Sequence, residues 1–247
     1  MQKPVILGVI NVSPESRQGH SIAIGKDSIL KRAAFLKKNN AEYIDIGARA
    51  STNRKMKIND KTEQKRLIPA IKALKERGYR ISVDTWSEDT AIKCLEHGVE
   101  MINFTSSQYT PKLLKALSKC SAWVVIVYMP YINPYSIDTS KACTYNFEKM
   151  LNYFKSKIRM VKRYGVKKII LDPNVGIIHP SLGNYRKIRL QIEVLSNLKK
   201  FRKLGPVMIS VPRKKSLDDT AIMASLAIIN NIDFIRTHDP EIITEIL

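Results

Sequence analysis

Residues 81–103, ISVDTWSEDTAIKCLEHGVEMIN, contain one complete unit of a strand, a helix and a second strand. A short apolar run ends at Asp84, and Thr85-Trp86-Ser87-Glu88 has the residue types of a capping box at the start of a helix. The buried face of that helix is predicted at Ala91, Ile92 and Leu95. Gly98 is a stop signal just before the next apolar run. This order is typical of a βα repeat with parallel strands.

The same alternation extends over the whole chain. Eight short apolar runs, each followed by polar residues, alternate with segments patterned as helices, and the runs lie at residues 5–10, 43–46, 80–83, 101–102, 123–127, 168–171, 207–211 and 233–235. Continuous apolar runs are typical of strands that are buried on both faces. Eight of them alternating with helices predict an α/β fold, the (β/α)₈ or TIM barrel, and a length of 247 residues suits a single domain over residues 1–247.

The helical segments also predict which side chains are buried. Residues 60–78 have one apolar face, with Asp60 and Glu63 as a capping pair, and we expect this helix to continue through Pro69 at the cost of a hydrogen bond or a kink. Residues 184–203 place Ile188, Ile192, Leu195 and Leu198 on one side. Residues 216–230 carry Ile222, Met223, Leu226 and Ile229 as apolar positions.

The composition argues against several classes of protein. The formal net charge is +20, but no nucleic-acid-binding motif accompanies it, so we interpret the lysines as solvated helix faces and expect no specific nucleic-acid partner. Three cysteines, at positions 94, 120 and 143, are too far apart to indicate a disulfide scaffold or a thiolate metal site. No apolar stretch approaches the roughly 20 residues that cross a bilayer. We therefore expect a cytoplasmic protein with no membrane contact.

Polar residues at the predicted strand ends form a series of short motifs. They read GVINVSPES (8–16), YIDIGARAST (43–52), ISVDT (81–85), MINFTSS (101–107), ILDPNVG (170–176), SVPRKKS (210–216) and IRTHD (235–239). Taken alone, Asp84 is explained as a helix cap, Asn11 as a turn residue and Asp172 as an Asx-turn. Caps and turns do not require this order, nor a position at the strand ends, where a barrel has its active site.

In this order the motifs resemble those of dihydropteroate synthase, a pterin-binding family whose barrel carries NVTPDS, DIGGEST, SVDT, IND, LDPGIGFGK, SRK and RVHD. Each string is short, but the seven in one order are specific, and they cover essentially the whole chain. The resemblance implies a transferase that joins 6-hydroxymethyl-7,8-dihydropterin diphosphate to an arylamine, usually p-aminobenzoate in folate biosynthesis, with loss of pyrophosphate. It also implies Mg²⁺ as a cofactor and a homodimer.

The resemblance assigns roles to individual residues. The pterin would be bound by Asp84, Asn103, Met129, Asp172, Lys214 and Arg236. The pyrophosphate would lie against Asn11, Arg236 and His238, with Asn11 also at the Mg²⁺. The catalytic residues would be Lys214, Arg236 and His238, and the acceptor would contact Ser51, Thr52, Arg54, Pro212 and Arg213. No protein nucleophile is needed, because cations and N–H donors stabilise the leaving group.

The chain departs from the family pattern mainly around the acceptor. Asn174, Ile177, Ile178 and His179 replace Gly, Phe, Gly and Lys of LDPGIGFGK, and Phe104 and Tyr128 replace an acidic residue and a histidine. The loops at 13–26 and 49–60, and an irregular stretch at 130–144, are typical of covers over a substrate. Arg17, Arg49, Arg54 and Lys55 add positive charge there, which suggests an acceptor with a phosphate, such as the ribosyl-aminobenzene phosphate of methanopterin-type biosynthesis.

Two other functions stay open at this point. One is a pterin-dependent methyltransferase on the same barrel, which would use a methyl-tetrahydropterin and a corrinoid partner; Lys214, Arg236 and His238 favour the diphosphate chemistry instead. The other is a barrel without catalysis that binds pterin, or binds RNA through its basic surface. The remaining histidines, His20, His97 and His179, have no metal-ligand spacing, and we interpret them as ordinary surface or loop residues.

Overall fold

The computed structural model of this chain describes residues 3–16, 18–51, 57–138, 145–176, 183–211 and 217–247. Its strands are β1 (Val5–Asn11), β2 (Ala41–Gly47), β3 (Ile81–Thr85), β4 (Met101–Phe104), β5 (Trp123–Val127), β6 (Ile169–Asp172), β7 (Met208–Ser210) and β8 (Phe234–Thr237). They pair in parallel in the order β6-β5-β4-β3-β2-β1-β8-β7. The amide of Leu171 donates to the carbonyl of Pro206 at 2.9 Å and joins the two ends of the sheet. The predicted (β/α)₈ barrel is confirmed.

Helices follow the strands and cover the outside of the barrel. They are α1 (Lys26–Lys38), α2 (Asp60–Lys75), α3 (Glu88–Glu96), α4 (Pro111–Lys119), α5 (Phe147–Arg163), α6 (Asn184–Ser196), α7 (Leu198–Arg202), α8 (Leu217–Ile229) and α9 (Pro240–Ile246). The helix α2 continues through Pro69, as predicted. Single 3₁₀ turns lie at Gly19–Ser21 and Pro134–Ser136, in the loops after β1 and β5. None of the helices described here is long and apolar enough to span a membrane.

Alternate side chains along each strand face the helices or the barrel interior. On the helix side, a Cβ at Gly8 would lie 2.8 Å from Leu36 Cδ2, so β1 approaches α1 closely because residue 8 is glycine. On the inner side, an apolar cluster contains Tyr43, Met101, Ile170, Met208 and Phe234. Two residues farther along the same strands come Asp45, Asn103, Asp172, Ser210 and Arg236. The period of two therefore turns the apolar interior into a polar layer at the carboxyl ends.

Two helices have N-cap residues other than those predicted. The N-cap of α3 is Ser87, whose hydroxyl accepts a hydrogen bond from the amide of Thr90 at 3.2 Å, and the N-cap of α2 is Asn59. Thr85, the predicted cap of α3, instead donates to Glu63 Oε1 at 2.9 Å. Both of these side chains are fully buried. The predicted capping pairs were wrong because a tertiary contact engages the side chains that were expected to cap.

The buried faces of α6 and α8 differ in part from the predicted ones. Leu195 on α6, Leu198 on the adjoining α7 and Met223 on α8 are buried as predicted, but Ile188, Ile192, Ile222 and Ile229 are exposed. The side chains buried in their place include Leu190, Gln191, Val194, Thr220, Ala224, Ala227 and Ile228. These helices carry apolar residues on more than one side, so periodicity alone does not select the face that packs on the barrel.

Candidate active site

A cavity of about 310 Å³ lies at the carboxyl ends of the strands. Each of the eight strands contributes one residue to its wall: Asn11, Gly47, Asp84, Asn103, Val127, Asp172, Ser210 and Arg236. Residues of the loops that follow, among them Ser51 and His238, complete the wall. Polar side chains that are far apart in the sequence therefore meet in one place, as the strand-end motifs predicted.

Arg236 joins two carboxylates beside this cavity. Its Nε donates to Asp45 Oδ2 at 2.7 Å, and its Nη2 donates to Asp84 Oδ2 at 2.8 Å. Asp45 is fully buried and accepts a second hydrogen bond from the hydroxyl of Ser82. One guanidinium is therefore shared by carboxylates from β2 and β3, and the pair of charge-assisted hydrogen bonds sets its orientation.

The charged groups of the cavity have shifted acidities. Burial raises the pKa of Asp84 to about 6; the charge of Arg236 opposes this rise, and that of Asp45 adds to it. Burial also raises the pKa of Asp172 to about 6, against hydrogen bonds from the Asn174 amide and the Ser210 hydroxyl. Burial acts to lower the pKa of Arg236, but Asp45 and Asp84 raise it above its ordinary value. The arginine is therefore charged at neutral pH, while the two aspartates begin to take up protons on mild acidification.

The loop after β6 brings Asp172 into position. The amide of Asn174 donates to Asp172 Oδ1 at 2.7 Å, and Asn174 has a φ of 58°, in the left-handed region that asparagine tolerates. The hydroxyl of Ser210 donates to Asp172 Oδ2 at 3.2 Å. A Cβ on Gly176 would lie 2.9 Å from the carbonyl oxygen of Ser210. The loop and the end of β7 touch because residue 176 is glycine.

Asn103 is buried in the same wall, and its Oδ1 has no hydrogen-bond partner among the described residues. An unpaired buried oxygen costs free energy unless a ligand supplies a donor. Its position therefore favours a ligand with N–H groups. Met129, predicted near it, is buried in the apolar cluster inside the barrel, and Val127 forms the cavity wall at the end of β5.

Another part of the wall is built by Asn11 and His238. Asn11 Nδ2 lies 2.8 Å from Ser21 Oγ, and His238 Nδ1 lies 2.9 Å from the same oxygen. Close by, His20 Nε2 lies 3.2 Å from Oδ1 of Asp239, which is buried. His20 lies exposed in the first loop, as expected of a surface or loop residue, and the fold of this loop also places it against a carboxylate at the end of β8.

Arg49 lines the cavity on the side of the second loop, but its charge is already engaged. Its Nη2 contacts Asp60 and lies 2.8 Å from Glu63 Oε2, and its guanidinium lies over the ring of Trp86 at 5.2 Å. The side chain is only 6% exposed. Two carboxylates face one positive charge, so Arg49 does not supply the surplus charge that the sequence suggested for an acceptor phosphate.

Most of the predicted site residues meet in the cavity. Those that line it are Asn11, Ser51, Asp84, Asn103, Asp172, Arg236 and His238. Arg17, Thr52, Arg54, Lys55, Pro212, Arg213 and Lys214 lie outside the described residues. Sequence reasoning missed Asp45 and Ser21. The alternation along β2 was a signal for Asp45, since it shares a strand face with Tyr43, whereas nothing in the sequence indicated that Ser21 folds back onto two strand ends.

Comparisons with known proteins agree with this geometry. The sequence profile described as "Pterin binding enzyme" matches residues 7–238. A dihydropteroate synthase type-3 from Escherichia coli is 28% identical over an aligned length of 261 positions, gaps included, and the match covers 98% of this chain and 96% of that protein. A dihydropteroate synthase from Synechocystis is 25% identical over an aligned length of 263 positions, and the match covers 99% of this chain and 88% of that protein.

A solved structure extends this likeness to three dimensions. The dihydropteroate synthase of Coxiella burnetii, in complex with pteroic acid, is 25% identical, with a TM-score of 0.80, and the match covers 100% of this chain and 91% of that one. The family profile spans most of the chain, and the resemblance to dihydropteroate synthases predicted from the motifs is confirmed. This chain therefore belongs to the pterin binding enzyme family.

Proposed function

We propose that this chain condenses 6-hydroxymethyl-7,8-dihydropterin diphosphate with p-aminobenzoate and releases pyrophosphate, as a transferase of the dihydropteroate synthase type. The observation that carries the proposal is the convergence of Asp84, Asn103 and Asp172 on one cavity that Arg236 and His238 also line. Hydrogen-bond acceptors for a heterocycle and donors for an anion therefore share one site. That site lies at the strand ends, where barrel enzymes have their chemistry.

The acceptor groups suit the edge of a pterin. That edge carries an exocyclic amine and ring N–H groups, all of them donors. Asp84 and Asp172 accept such bonds with charge assistance. Oδ1 of Asn103, which has no partner in the described part of the chain, is the third acceptor. Lys214, outside the described residues, is the proposed partner for the acceptor side of the ring, and Met129 supports the site from within the barrel.

In the reaction, the C–O bond between the pterin methylene and the diphosphate breaks, and a C–N bond to the arylamine forms. The electron pair of the broken bond leaves with the diphosphate, and the amine gives up one proton. Because negative charge grows on the leaving oxygen, positive charge and N–H donors beside it stabilise the transition state. The proposed donors are Arg236, through the N–H groups that Asp45 and Asp84 do not engage, and His238, while Lys214 is the third proposed catalytic residue.

Magnesium suits the end of the cavity at Asn11. Mg²⁺ is usually held by one or two protein oxygens together with substrate phosphates. Asn11 Nδ2 is engaged by Ser21 at 2.8 Å, which leaves Oδ1 of the amide to meet a metal. Within the described ranges no cluster of three His, Cys, Asp or Glu side chains is arranged for a metal, so the diphosphate is the proposed main ligand. A bound Mg²⁺ would neutralise part of the diphosphate charge.

We propose p-aminobenzoate, rather than a ribosyl phosphate, as the acceptor. Ser51 lines the cavity there. Arg49, the described member of the predicted cationic group, is neutralised by Asp60 and Glu63. The other proposed contacts to the acceptor are Thr52, Arg54, Pro212 and Arg213, all outside the described residues. The carboxylate of p-aminobenzoate carries one negative charge, and its proposed partners are these four residues.

The proposed function is tested by a pyrophosphate-release assay. The protein is supplied with the dihydropterin diphosphate and Mg²⁺, and p-aminobenzoate and the ribosyl-aminobenzene phosphate are offered in separate reactions. We expect release of pyrophosphate together with dihydropteroate when p-aminobenzoate is present, and much slower release with the phosphorylated acceptor. No release with either acceptor would contradict the transferase proposal. Faster turnover of the phosphorylated acceptor would contradict only the choice of p-aminobenzoate as the acceptor.

Gly176→Ala is expected to weaken pterin binding several-fold. The added methyl group must displace the backbone of Ser210, and with it the hydroxyl that donates to Asp172, because a Cβ would lie 2.9 Å from the Ser210 carbonyl. Gly183→Ala is the matched control, since a Cβ there meets nothing within 4 Å. Titration calorimetry with 6-hydroxymethylpterin compares the two variants, and equal affinities would show that this close approach does not shape the site.

Pterin affinity is expected to fall as the pH drops from 7 to 5. Asp84 and Asp172 have pKa values of about 6, so both lose the negative charge that accepts from the pterin edge over this interval. Where binding requires a carboxyl group to be ionised, the association constant falls about tenfold for each pH unit below the pKa of that group. Calorimetry across this range measures the slope, and Asp172→Asn should make it shallower. An affinity that does not change between pH 5 and 7 would contradict the role of these carboxylates.

We further propose that the enzyme is a cytoplasmic homodimer that associates through α6 and α8, which pack side by side. Six of the eleven large exposed apolar side chains of the described residues lie on these two helices: Tyr185, Ile188, Ile192, Leu217, Ile222 and Ile229. The first turn of α8 is acidic, with Asp218 and Asp219, while α6 carries Arg186 and Arg189. A twofold axis would bring these opposite charges together across the two copies.

The proposed cytoplasmic location rests on the cysteines. The free thiols of Cys94 and Cys120 suit a reducing compartment.

Charged substitutions on this face are expected to give monomers. Ile222→Glu combined with Ile229→Glu places two carboxylates on side chains that are 59% and 64% exposed, where the fold of the single chain tolerates them. Light scattering after gel filtration should report half the mass of the original protein. Ile24→Glu, at an apolar side chain of similar exposure on the first loop, is the control and should not change the mass. A monomer before any substitution would contradict the dimer.

A further inference from the structure

The hydroxyl of Ser21 is a meeting point of the first loop and two strand ends. Ser21 closes the 3₁₀ turn Gly19–Ser21 and is fully buried. Its Oγ lies 2.9 Å from the carbonyl oxygen of Gln18, 2.8 Å from Asn11 Nδ2 and 2.9 Å from His238 Nδ1. Asn11 ends β1, and His238 directly follows β8. A residue that does not line the cavity therefore touches two that do.

The three contacts define where the protons are. A serine hydroxyl has one proton to give and two lone pairs to accept with. The carbonyl of Gln18 can only accept, so it takes the proton of Ser21. The amide nitrogen of Asn11 can only donate, so it occupies one lone pair. The remaining lone pair faces His238 Nδ1, and this contact is a hydrogen bond only if Nδ1 carries a proton.

This arrangement fixes which atoms of the two side chains face away from Ser21. The Asn11 amide is held by its nitrogen, so its oxygen is turned away from Ser21. The His238 ring is held by Nδ1–H, so Nε2 is the ring nitrogen on the side away from Ser21. When the ring is doubly protonated, Ser21 keeps the same hydrogen bond and Nε2–H becomes the donor. The tautomer with its proton on Nε2 alone would set two lone pairs against each other at Nδ1.

Other contacts hold the turn of Ser21 against the barrel. The amide of Ala23 donates to the carbonyl of Asn11 at 2.9 Å. His20 Nε2 pairs with Oδ1 of the buried Asp239 at 3.2 Å, and the His20 and His238 rings meet edge to face with their centroids 5.8 Å apart. Arg32 donates to the backbone carbonyl of His238. The position of the hydroxyl is therefore set from both sides, by the loop and by the end of β8.

We propose that Ser21 is a positioning residue for the diphosphate end of the site, which aligns the amide of Asn11 and keeps one proton of His238 on Nδ1, so that a second proton, taken up on Nε2, is the one that the ring donates to the leaving group. The inference rests on the proposed function, since it assigns Asn11 and His238 to the leaving diphosphate. It adds a residue of the first loop that acts on the substrate only through these two side chains. The first loop, of which Ser16 and Gln18 line the cavity, is thereby coupled to the groups that meet the leaving group.

The test compares two serines of the same loop. Ser13 is also fully buried, but its hydroxyl has no hydrogen-bond partner among the described residues, so Ser13→Ala is the matched control for Ser21→Ala. Steady-state kinetics give KM for the dihydropterin diphosphate and for p-aminobenzoate separately. Nitrogen-15 NMR of labelled histidine reports the tautomer of His238, assigned by its absence in His238→Asn. The NMR experiment uses the free protein and needs no activity.

We expect Ser21→Ala to raise KM for the diphosphate substrate about tenfold, because two hydrogen bonds that orient its ligands are lost, with little change in KM for the acceptor. Ser13→Ala should leave both values within twofold. In the original protein, neutral His238 should carry its proton on Nδ1, and Ser21→Ala should remove this preference. A proton on Nε2 in the original protein, or equal kinetics of the two alanine variants, would overturn the inference. Absence of turnover in the original protein would overturn the proposed function instead, while the NMR result would still decide the tautomer.

Discussion

Arg236→Gln is expected to lower the free energy of unfolding by about 3–5 kcal/mol at neutral pH and to reduce transferase activity at least a hundredfold. Removing one partner of a buried ion pair leaves the other charge without compensation, and here one guanidinium serves both Asp45 and Asp84. Activity falls because the same group is the proposed donor to the leaving diphosphate. Denaturant titration and the pyrophosphate-release assay measure the two effects.

The pH dependence of this loss separates charge from packing. The pKa of Asp84 is already raised to about 6 and rises further when the cation is removed. A carboxyl group with a raised pKa in the folded state binds its proton more tightly there than in the unfolded chain, so the folded state gains stability as the pH falls through that value. The loss in Arg236→Gln should therefore be smaller at pH 5 than at pH 7. Equal losses at both pH values would attribute the effect to packing.

Arg236→Lys is the control that keeps the positive charge but removes the planar guanidinium. A lysine keeps the positive charge but cannot donate along two fixed directions to Asp45 and Asp84 at once. We expect it to recover part of the stability and little of the activity. Full recovery of activity would mean that a point charge is sufficient at this position. The two hydrogen bonds from Nε and Nη2, at 2.7 Å and 2.8 Å, would then not be required.

Asp172→Asn is expected to weaken pterin binding by about 10- to 100-fold without loss of stability. Hydrogen bonds to a charged group contribute roughly 1.5–3 kcal/mol, which corresponds to this range. The asparagine oxygen can still accept from the amide of Asn174, at 2.7 Å in the original protein. Burial of the Asp172 carboxylate raises its pKa to about 6, so its charged form at pH 7 is a cost to folding that the substitution removes.

A carboxylate away from the cavity is the matched control. Asp233 pairs with Arg202 at 2.9 Å and accepts from the amide of Val207, just before β7. Asp233→Asn should lower stability modestly and leave pterin affinity unchanged, the reverse of Asp172→Asn. Calorimetry and denaturant titration on both variants give the comparison. A stability loss in Asp172→Asn as large as that of Asp233→Asn would identify Asp172 as a structural residue.

The strand-end motifs predicted which side chains converge on the cavity because their information is local. Asp84, Asn103, Asp172 and Arg236 each end an apolar run, and parallel strands of similar length present their carboxyl ends at one mouth. The motifs did not indicate a role for Asp45, because it lies inside the apolar run at 43–46, two residues before Gly47, which lines the cavity. Arg49 was wrongly expected to offer its positive charge to a ligand. Glu63 neutralises this charge, and Glu63 reaches Arg49 and Thr85 only through tertiary contacts.

Local pattern was sufficient for the number, order and polarity of the strands, and for the inward direction of alternate side chains, because these follow from a period of two within each run. Closure of the barrel decided everything that joins distant parts of the chain. The contact of Ser21 with His238 spans 217 positions, and that of Asp45 with Arg236 spans 191. Such pairs are not encoded in any one segment, since their separation depends on how eight strands are arranged around one axis.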